Sequence, residues 1–102
     1  MTRTLTYAPR ALRDLEAVRL WFHQPGAGPR SRRRYGNIRA AIDRLIEFPC
    51  LYSMGDHPGR REMSCEGHRV VYRVDPDTGS NATAGDVLVL RVFGPGQDRT
   101  KL

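Results

Sequence analysis

The sequence predicts a single α+β domain, in which an antiparallel sheet packs on a two-helix hairpin in the element order β-α-α-β-β-β. Two amphipathic helical patterns are separated by the Pro/Gly-rich break at residues 25–29, and three β-rich segments follow between residues 61 and 93. The length of 102 residues leaves room for one domain, residues 1–102. We therefore expect the helices to cover one face of the sheet.

The first half of the chain predicts a short strand at residues 2–7 and then the two helices. The first helix is expected from Pro9 to about residue 24, since Pro is well tolerated in a first helical turn. Its polar side carries Arg10 and Asp14, four residues apart, as a predicted ion pair. The second helix is predicted at residues 30–48, ended by Pro49. Apolar residues recur at helical spacing in both helices: Leu12, Leu15, Val18 and Phe22, then Tyr35, Ile38, Ile42 and Leu45.

The second half predicts three strands of an antiparallel meander, at residues 61–66, 69–75 and 86–93. Gly67-His68 is the expected tight turn between the first two strands. The polar residues 75–85 form the loop before the last strand.

Side chains alternate between the two faces of a strand, which assigns the residues of the sheet to its faces. We expect Leu88, Leu90 and Val92 to pack against the helices. The open face then carries three cations beside an aromatic ring: Arg69, Arg73 and Arg91, with Phe93.

The chain is strongly basic, with a net charge of +6, and nearly all of its cations are arginines. Arginine pairs bidentately with phosphate and carboxylate, so the composition favours a nucleic acid or an acidic protein as partner. An equally good interpretation is that the arginines reflect a GC-rich genome. Cys50 and Cys65 fit neither a disulfide framework nor a metal site, and we expect reduced thiols in a soluble, cytoplasmic protein without metal or cofactor.

No conventional catalytic motif is present, and the three histidines are expected to be solvated surface residues. Arg69, Arg73 and Arg91 could hold RNA phosphates, with Glu62 or Glu66 as a general base toward a ribose 2′-hydroxyl. We favour the simpler interpretation that these arginines pair with carboxylates across strands.

The candidate partner-binding residues are mainly arginines. Residues 30–34 (Arg-Ser-Arg-Arg-Arg) form the densest charge in the chain, either a solvated helix start or a surface for an anionic partner. Core packing is the favoured interpretation for Trp21, whereas an exposed Trp21 would suit a groove for an amphipathic segment. The candidate residues are Trp21, Arg30, Arg32, Arg33, Arg34, Arg69, Arg73, Arg91 and Phe93.

Four segments together resemble the RelE/ParE toxin superfamily, and its ParE branch in particular. Residues 7–15 contain an Ala-x-x-Asp-Leu pattern (Ala11, Asp14, Leu15) that is similar to the start of the first helix in ParE-like toxins. Residues 42–49 resemble the end of their second helix. Residues 67–74 and 89–93 resemble the two strands that define the superfamily sheet.

The resemblance implies a toxin of a type II toxin–antitoxin pair, bound and neutralised by an acidic, partly disordered antitoxin in a hetero-oligomer. ParE toxins block DNA gyrase in a cleavage complex with DNA, whereas RelE toxins cut mRNA in the ribosome. Arg69 matches one RelE catalytic arginine, but the second arginine and the C-terminal tyrosine have no clear match in residues 95–99. A non-enzymatic gyrase inhibitor is therefore the first expectation.

Two features depart from the ParE pattern: Gly94 stands where a histidine is common, and the loop 75–85 is unusually long. The alternatives that remain are a RelE-type ribosome-dependent endoribonuclease using Arg69, Arg73, Arg91 and Glu62, and a non-toxic interaction module of the same fold.

Overall fold

A computed structural model describes residues 2–95 and has the predicted element order. Of residues 95–99, the tail in which no match to the RelE tyrosine was found, residues 96–99 lie outside the described residues. A short 3-10 helix, Arg44–Ile46, prolongs the second helix. The strands and helices are β1 (Leu5–Tyr7), α1 (Pro9–Phe22), α2 (Gly28–Asp43), β2 (Arg61–Cys65), β3 (His68–Asp75) and β4 (Asp86–Phe93).

The four strands form one mixed sheet in the order β1-β4-β3-β2. The meander β2-β3-β4 is antiparallel as predicted. The short strand β1 instead pairs with the first half of β4 in parallel, through Leu5–Val87 and Tyr7–Val89. Beyond Val89, no strand of the described chain pairs with the outer edge of β4.

The helix hairpin packs on the face of β4 that carries Val87, Val89 and Val92, so the prediction was right for Val92 and wrong for Leu88 and Leu90. A β-bulge places Tyr72 opposite Val89 and Val71 opposite Arg91, so that Leu90 is an extra residue in β4. The inserted residue shifts the alternation by one position along the rest of the strand. The core joins Val70, Tyr72, Val74, Val87, Val89 and Val92 to Ala11, Leu15, Val18, Phe22, Ile38, Ile42 and Leu45.

The turn between β2 and β3 lies one residue earlier than predicted, at Glu66-Gly67. Both residues have positive φ angles, 52° and 75°, as a two-residue type I′ hairpin turn requires. His68 therefore belongs to β3 rather than to the turn. It is buried, which contradicts the expectation of a solvated histidine.

The segment before β2 folds back on that strand. The Glu62 N–H donates to the Ser53 carbonyl at 3.2 Å, and the Gly55 N–H donates to the Arg60 carbonyl at 2.8 Å. A Cβ atom on Gly55 would lie 1.8 Å from the Glu62 carboxylate, so a larger residue there would force the Glu62 side chain to move.

The long loop 76–85 is held at several points. Arg61 pairs with Asp77 through two 2.8 Å hydrogen bonds, and the Cys50 N–H donates to the Asn81 side chain at 2.7 Å. The Arg3 guanidinium donates to backbone carbonyls in the second half of this loop, among them Asn81 and Gly85. Cys50 and Cys65 are free thiols, and burial raises the pKa of each. Within residues 2–95, neither helix is long and apolar enough to cross a bilayer.

Candidate partner-binding site

A groove of about 460 Å³ lies beside the C-terminal half of α1, and Trp21 forms part of its wall. Trp21 is 64% exposed, so the favoured expectation of core packing is wrong. The core stripe of α1 is Ala11, Leu15, Val18 and Phe22, which leaves Trp21 on the neighbouring face. The groove is lined by Asp14, Ala17, Val18, Trp21, Phe22, Arg34, His68, Val92, Gly94 and Pro95.

The buried imidazole of His68 forms part of the groove wall. Its ring centroid lies 5.4 Å from that of Phe22, and Nδ1 lies 2.9 Å from the Glu66 carbonyl oxygen. A carbonyl only accepts hydrogen bonds, so Nδ1 carries a proton and donates it. Sequence reasoning missed this residue because the turn was placed one position too late.

Arg34 connects α2 to the groove. Its guanidinium lies 4.9 Å from the centroid of the Phe22 ring, and its Nε donates to the Glu66 carboxylate at 3.0 Å. Asn37 also donates to this carboxylate, and the two hydrogen bonds lower the pKa of Glu66. Arg34 is therefore fixed in place by contacts on two sides.

The other arginines of the predicted run lie in the first turns of α2 and are exposed. Within the described chain, the side chains of Arg30, Arg32 and Arg33 make no hydrogen bond or ion pair. They give this side of the hairpin a positive charge that no neighbouring carboxylate offsets. The structure thus places Trp21 and Arg34 at one groove, with the remaining cations of the run on the same hairpin.

Asp14 closes the unpaired edge of β4. Its carboxylate accepts hydrogen bonds from Arg91 Nε at 2.7 Å and from the Val92 N–H at 2.8 Å. The predicted Arg10–Asp14 pair is therefore replaced by a pair between α1 and the sheet. Only 12% of the Arg91 side chain is exposed, and its guanidinium lies over the Phe93 ring, 4.6 Å from the centroid.

The predicted open face does not present three free arginines and an aromatic ring. Arg69 Nη1 donates to Glu62 at 2.9 Å, which is the cross-strand pairing that the sequence favoured. Arg73 is exposed, and Arg91 is held by Asp14. Phe93 is only 2% exposed and does not reach the surface as a partner-binding ring. Arg69 and Arg73 thus remain accessible, on a different surface from the Trp21 groove.

Among residues 2–95, no three side chains of His, Cys, Asp or Glu lie close enough together to hold a metal ion. The groove is instead bordered by aromatic rings, a fixed guanidinium and a buried imidazole. Such a surface suits an apolar side chain followed by a carboxylate.

The comparisons with known proteins agree with this fold. Residues 5–98 match the family model described as ParE toxin of type II toxin-antitoxin system, parDE. No curated protein matches the chain.

Two solved structures share the fold. A chain of the chromosomal ParDE toxin–antitoxin system from P. aeruginosa is 15% identical, with a TM-score of 0.69 over 92% of this chain and 97% of that chain. A chain of the toxin–antitoxin complex RelBE2 from Mycobacterium tuberculosis is 19% identical, with a TM-score of 0.52 over 95% of each chain.

Fold and geometry together define a small, basic α+β domain with a helix hairpin on one face of a four-stranded mixed sheet. The family match covers nearly the whole chain. The chain belongs to the ParE toxin family of type II toxin–antitoxin systems.

Proposed function

We propose that this toxin acts by inhibiting DNA gyrase without catalysing a reaction, and that a cognate acidic antitoxin neutralises it by binding the helix hairpin. The observation that supports this proposal most directly is the ParE family match over residues 5–98. The RelE-type ribonuclease is the alternative, since the fold is also similar to that of a RelBE2 chain.

The Trp21 groove supports the antitoxin part of the proposal. An exposed tryptophan beside buried aromatic rings offers the large contact area that dominates many protein interfaces. Arg34 at the groove, with Arg30, Arg32 and Arg33 on the same helix, offers pairing to carboxylates. An acidic amphipathic segment therefore complements this surface in both shape and charge, in line with the antitoxins that partner the two similar structures.

The contacts of the candidate general bases argue against the ribonuclease. The Glu62 side chain is 4% exposed, and its carboxylate accepts hydrogen bonds from Arg69 and from the Asp56 N–H. Glu66 is engaged by Arg34 and Asn37. Both carboxylates are thus held by donors and are not free to reach a ribose hydroxyl, and the lowered pKa of Glu66 also makes it a weaker base.

The arginines give the ribonuclease no better support. Arg91 is mostly buried against Asp14 and Phe93, so of the three proposed phosphate ligands only Arg69 and Arg73 are accessible. Two surface cations can bind an RNA phosphate, but without an available base they do not cleave the phosphodiester bond.

A supercoiling assay with purified gyrase tests the proposal. We expect the chain to inhibit supercoiling and to increase the amount of cleaved DNA, and prior addition of the cognate antitoxin to restore activity. Unchanged supercoiling at a molar excess of the toxin would overturn the gyrase target.

Two parallel assays separate the alternatives. Cleavage of ribosome-bound mRNA that is lost in Arg69→Ala, with no effect on gyrase, would select the ribonuclease. Normal growth after induction of the chain alone would select the non-toxic interaction module.

A further inference from the structure

A second cavity, of about 600 Å³, opens at the other end of α1 from Trp21. It lies between the start of α1, the segment before β2 and the bulge of β4. Its volume is within the range of about 300–1,000 Å³ that is typical of small-molecule sites. Of the candidate partner-binding residues, only Arg91 lines this second cavity.

The cavity is basic. Arg10, Arg60 and Arg91 line it from three separate segments, and no carboxylate is among its described lining residues. Asp14 neutralises Arg91. The side chains of Arg10 and Arg60 make no hydrogen bond or ion pair within residues 2–95. Two guanidinium groups with unused donors therefore border one cavity, a geometry that suits a phosphate group.

The remaining wall is largely apolar. Pro9, Pro58 and Leu90 supply flat, rigid surface beside the two arginines. A phosphate ion alone would leave this surface in contact with water. A planar ring linked to the phosphate through a sugar would cover it. The start of α1 has no side-chain cap and no acidic residue in its first turn, so the positive end of the helix dipole adds to the charge.

We propose that this cavity binds a nucleotide unit, with the phosphate held by Arg10 and Arg60 and the ring packed against Pro9, Pro58 and Leu90. Leu90 follows the core residue Val89 in β4, and its side chain forms part of this wall instead of joining the helix-facing core. A free nucleotide or a nucleotide exposed in a single DNA strand presents the same chemistry. The proposal goes beyond the gyrase and antitoxin assignments and does not depend on either.

The test compares two double variants that remove the same charge. Arg10→Gln with Arg60→Gln alters the cavity, and Arg32→Gln with Arg33→Gln alters the exposed face of α2. Binding of adenosine monophosphate, inorganic phosphate and a short labelled single-stranded DNA is measured by calorimetry and fluorescence anisotropy. Thermal unfolding checks that each variant folds. If the cavity double variant does not fold, the single variants Arg10→Gln and Arg60→Gln replace it.

We expect the cavity variant to lose about tenfold or more in affinity for the nucleotide or the DNA, while the control loses about threefold or less. For DNA, the loss of one phosphate contact should also reduce the slope of log affinity against log salt by about 0.7. Binding of adenosine monophosphate would identify a free nucleotide as sufficient, and binding of DNA alone would identify a strand. Equal losses in the two double variants, tighter binding of inorganic phosphate than of the nucleotide, or no binding of any probe would overturn the proposal.

Discussion

The Asp14 carboxylate accepts a hydrogen bond from Arg91 Nε at 2.7 Å, which joins the first helix to the last strand across 77 residues of sequence. The same carboxylate accepts the Val92 N–H at 2.8 Å, at the edge of β4 that β1 leaves uncovered. One side chain thus neutralises a largely buried guanidinium and satisfies an edge donor. This double contact explains why an aspartate occupies the fourth position of the Ala-x-x-Asp-Leu pattern.

Replacing Asp14 by alanine should lower the free energy of unfolding by about 3 kcal/mol, because Arg91 and the Val92 N–H would both lose their partner in a mostly buried site. Chemical denaturation followed by circular dichroism measures the change. Glu16→Ala is the matched control, since Glu16 makes an exposed ion pair with Arg19 on the same helix and should leave stability unchanged. An equal effect of the two substitutions would show that the Asp14 contacts do not stabilise the fold.

Trp21→Ala should weaken antitoxin binding by about 2 kcal/mol, or about thirtyfold, because it removes the largest exposed apolar side chain of the groove. Stability should change little, since the side chain is 64% exposed. Leu20→Ala is the control: Leu20 is similarly exposed on α1 but does not line the groove. Affinity is measured by calorimetry, and unchanged affinity in Trp21→Ala would place the antitoxin elsewhere.

The element order was predictable from the sequence because the local signals agree with the fold. The helical spacing of Leu15, Val18 and Phe22 matches the buried stripe of α1, and the break at residues 25–29 separates the two helices. The last strand was predicted with the observed bounds, Asp86–Phe93. In the helices a single periodicity decides the structure, and in the last strand the run of β-forming residues does.

The assignment of the β4 side chains to faces was only partly predictable, because it depends on a bulge and on tertiary contacts. The extra residue Leu90 reverses the alternation, and nothing local marks a bulge in a run of Val and Leu. The Asp14–Arg91 pair and the parallel pairing of β1 join residues about 80 positions apart in sequence. The register places Arg91 opposite Val71, on the face that also carries Arg69, as predicted, but Asp14 holds its guanidinium. The cross-strand pairing of Arg69 with Glu62 was also predicted.

The Arg61–Asp77 pair should make stability depend on pH in the acid range. The hydrogen bonds from Arg61 lower the pKa of Asp77 below its ordinary value of 3.8. Because the folded-state pKa is the lower one, the contribution of this pair is complete above pH 3.8 and is lost as the pH falls through the folded-state value. Asp77→Asn should therefore reduce stability near neutral pH and flatten the acid dependence.

The control for Asp77→Asn is Asp56→Asn, because the side chain of Asp56 makes no ion pair in the described chain. Unfolding is followed in urea at a series of pH values. Parallel curves for the wild type and Asp77→Asn would contradict a linkage through this carboxyl group.

Tyr72 should make the fold sensitive to alkaline pH. Its hydroxyl donates to the Pro49 carbonyl at 2.9 Å in the core, and burial raises the pKa of Tyr72 far above its ordinary value of 10.0. The folded state therefore holds this proton more tightly than the unfolded state, so stability falls as the pH rises above 10.0. Tyr72→Phe should cost about 1–2 kcal/mol near neutral pH, because the Pro49 carbonyl loses its donor, and should weaken the alkaline dependence. Tyrosine absorbance and chemical denaturation measure the two effects.

Association with an acidic antitoxin should be steered by charge. The chain carries a net charge of +6, and Arg30, Arg32 and Arg33 project from the start of α2 without neutralising partners in the described structure. The Debye length shrinks from about 10 Å at 0.1 M salt to about 3 Å at 1 M, so the association rate constant should fall steeply with salt while the dissociation rate constant changes less. Arg32→Gln with Arg33→Gln should slow association at low salt and reduce its salt dependence, whereas Trp21→Ala should act mainly on dissociation. Stopped-flow fluorescence measures both rate constants, and equal association rates at low and high salt would rule out an electrostatic encounter.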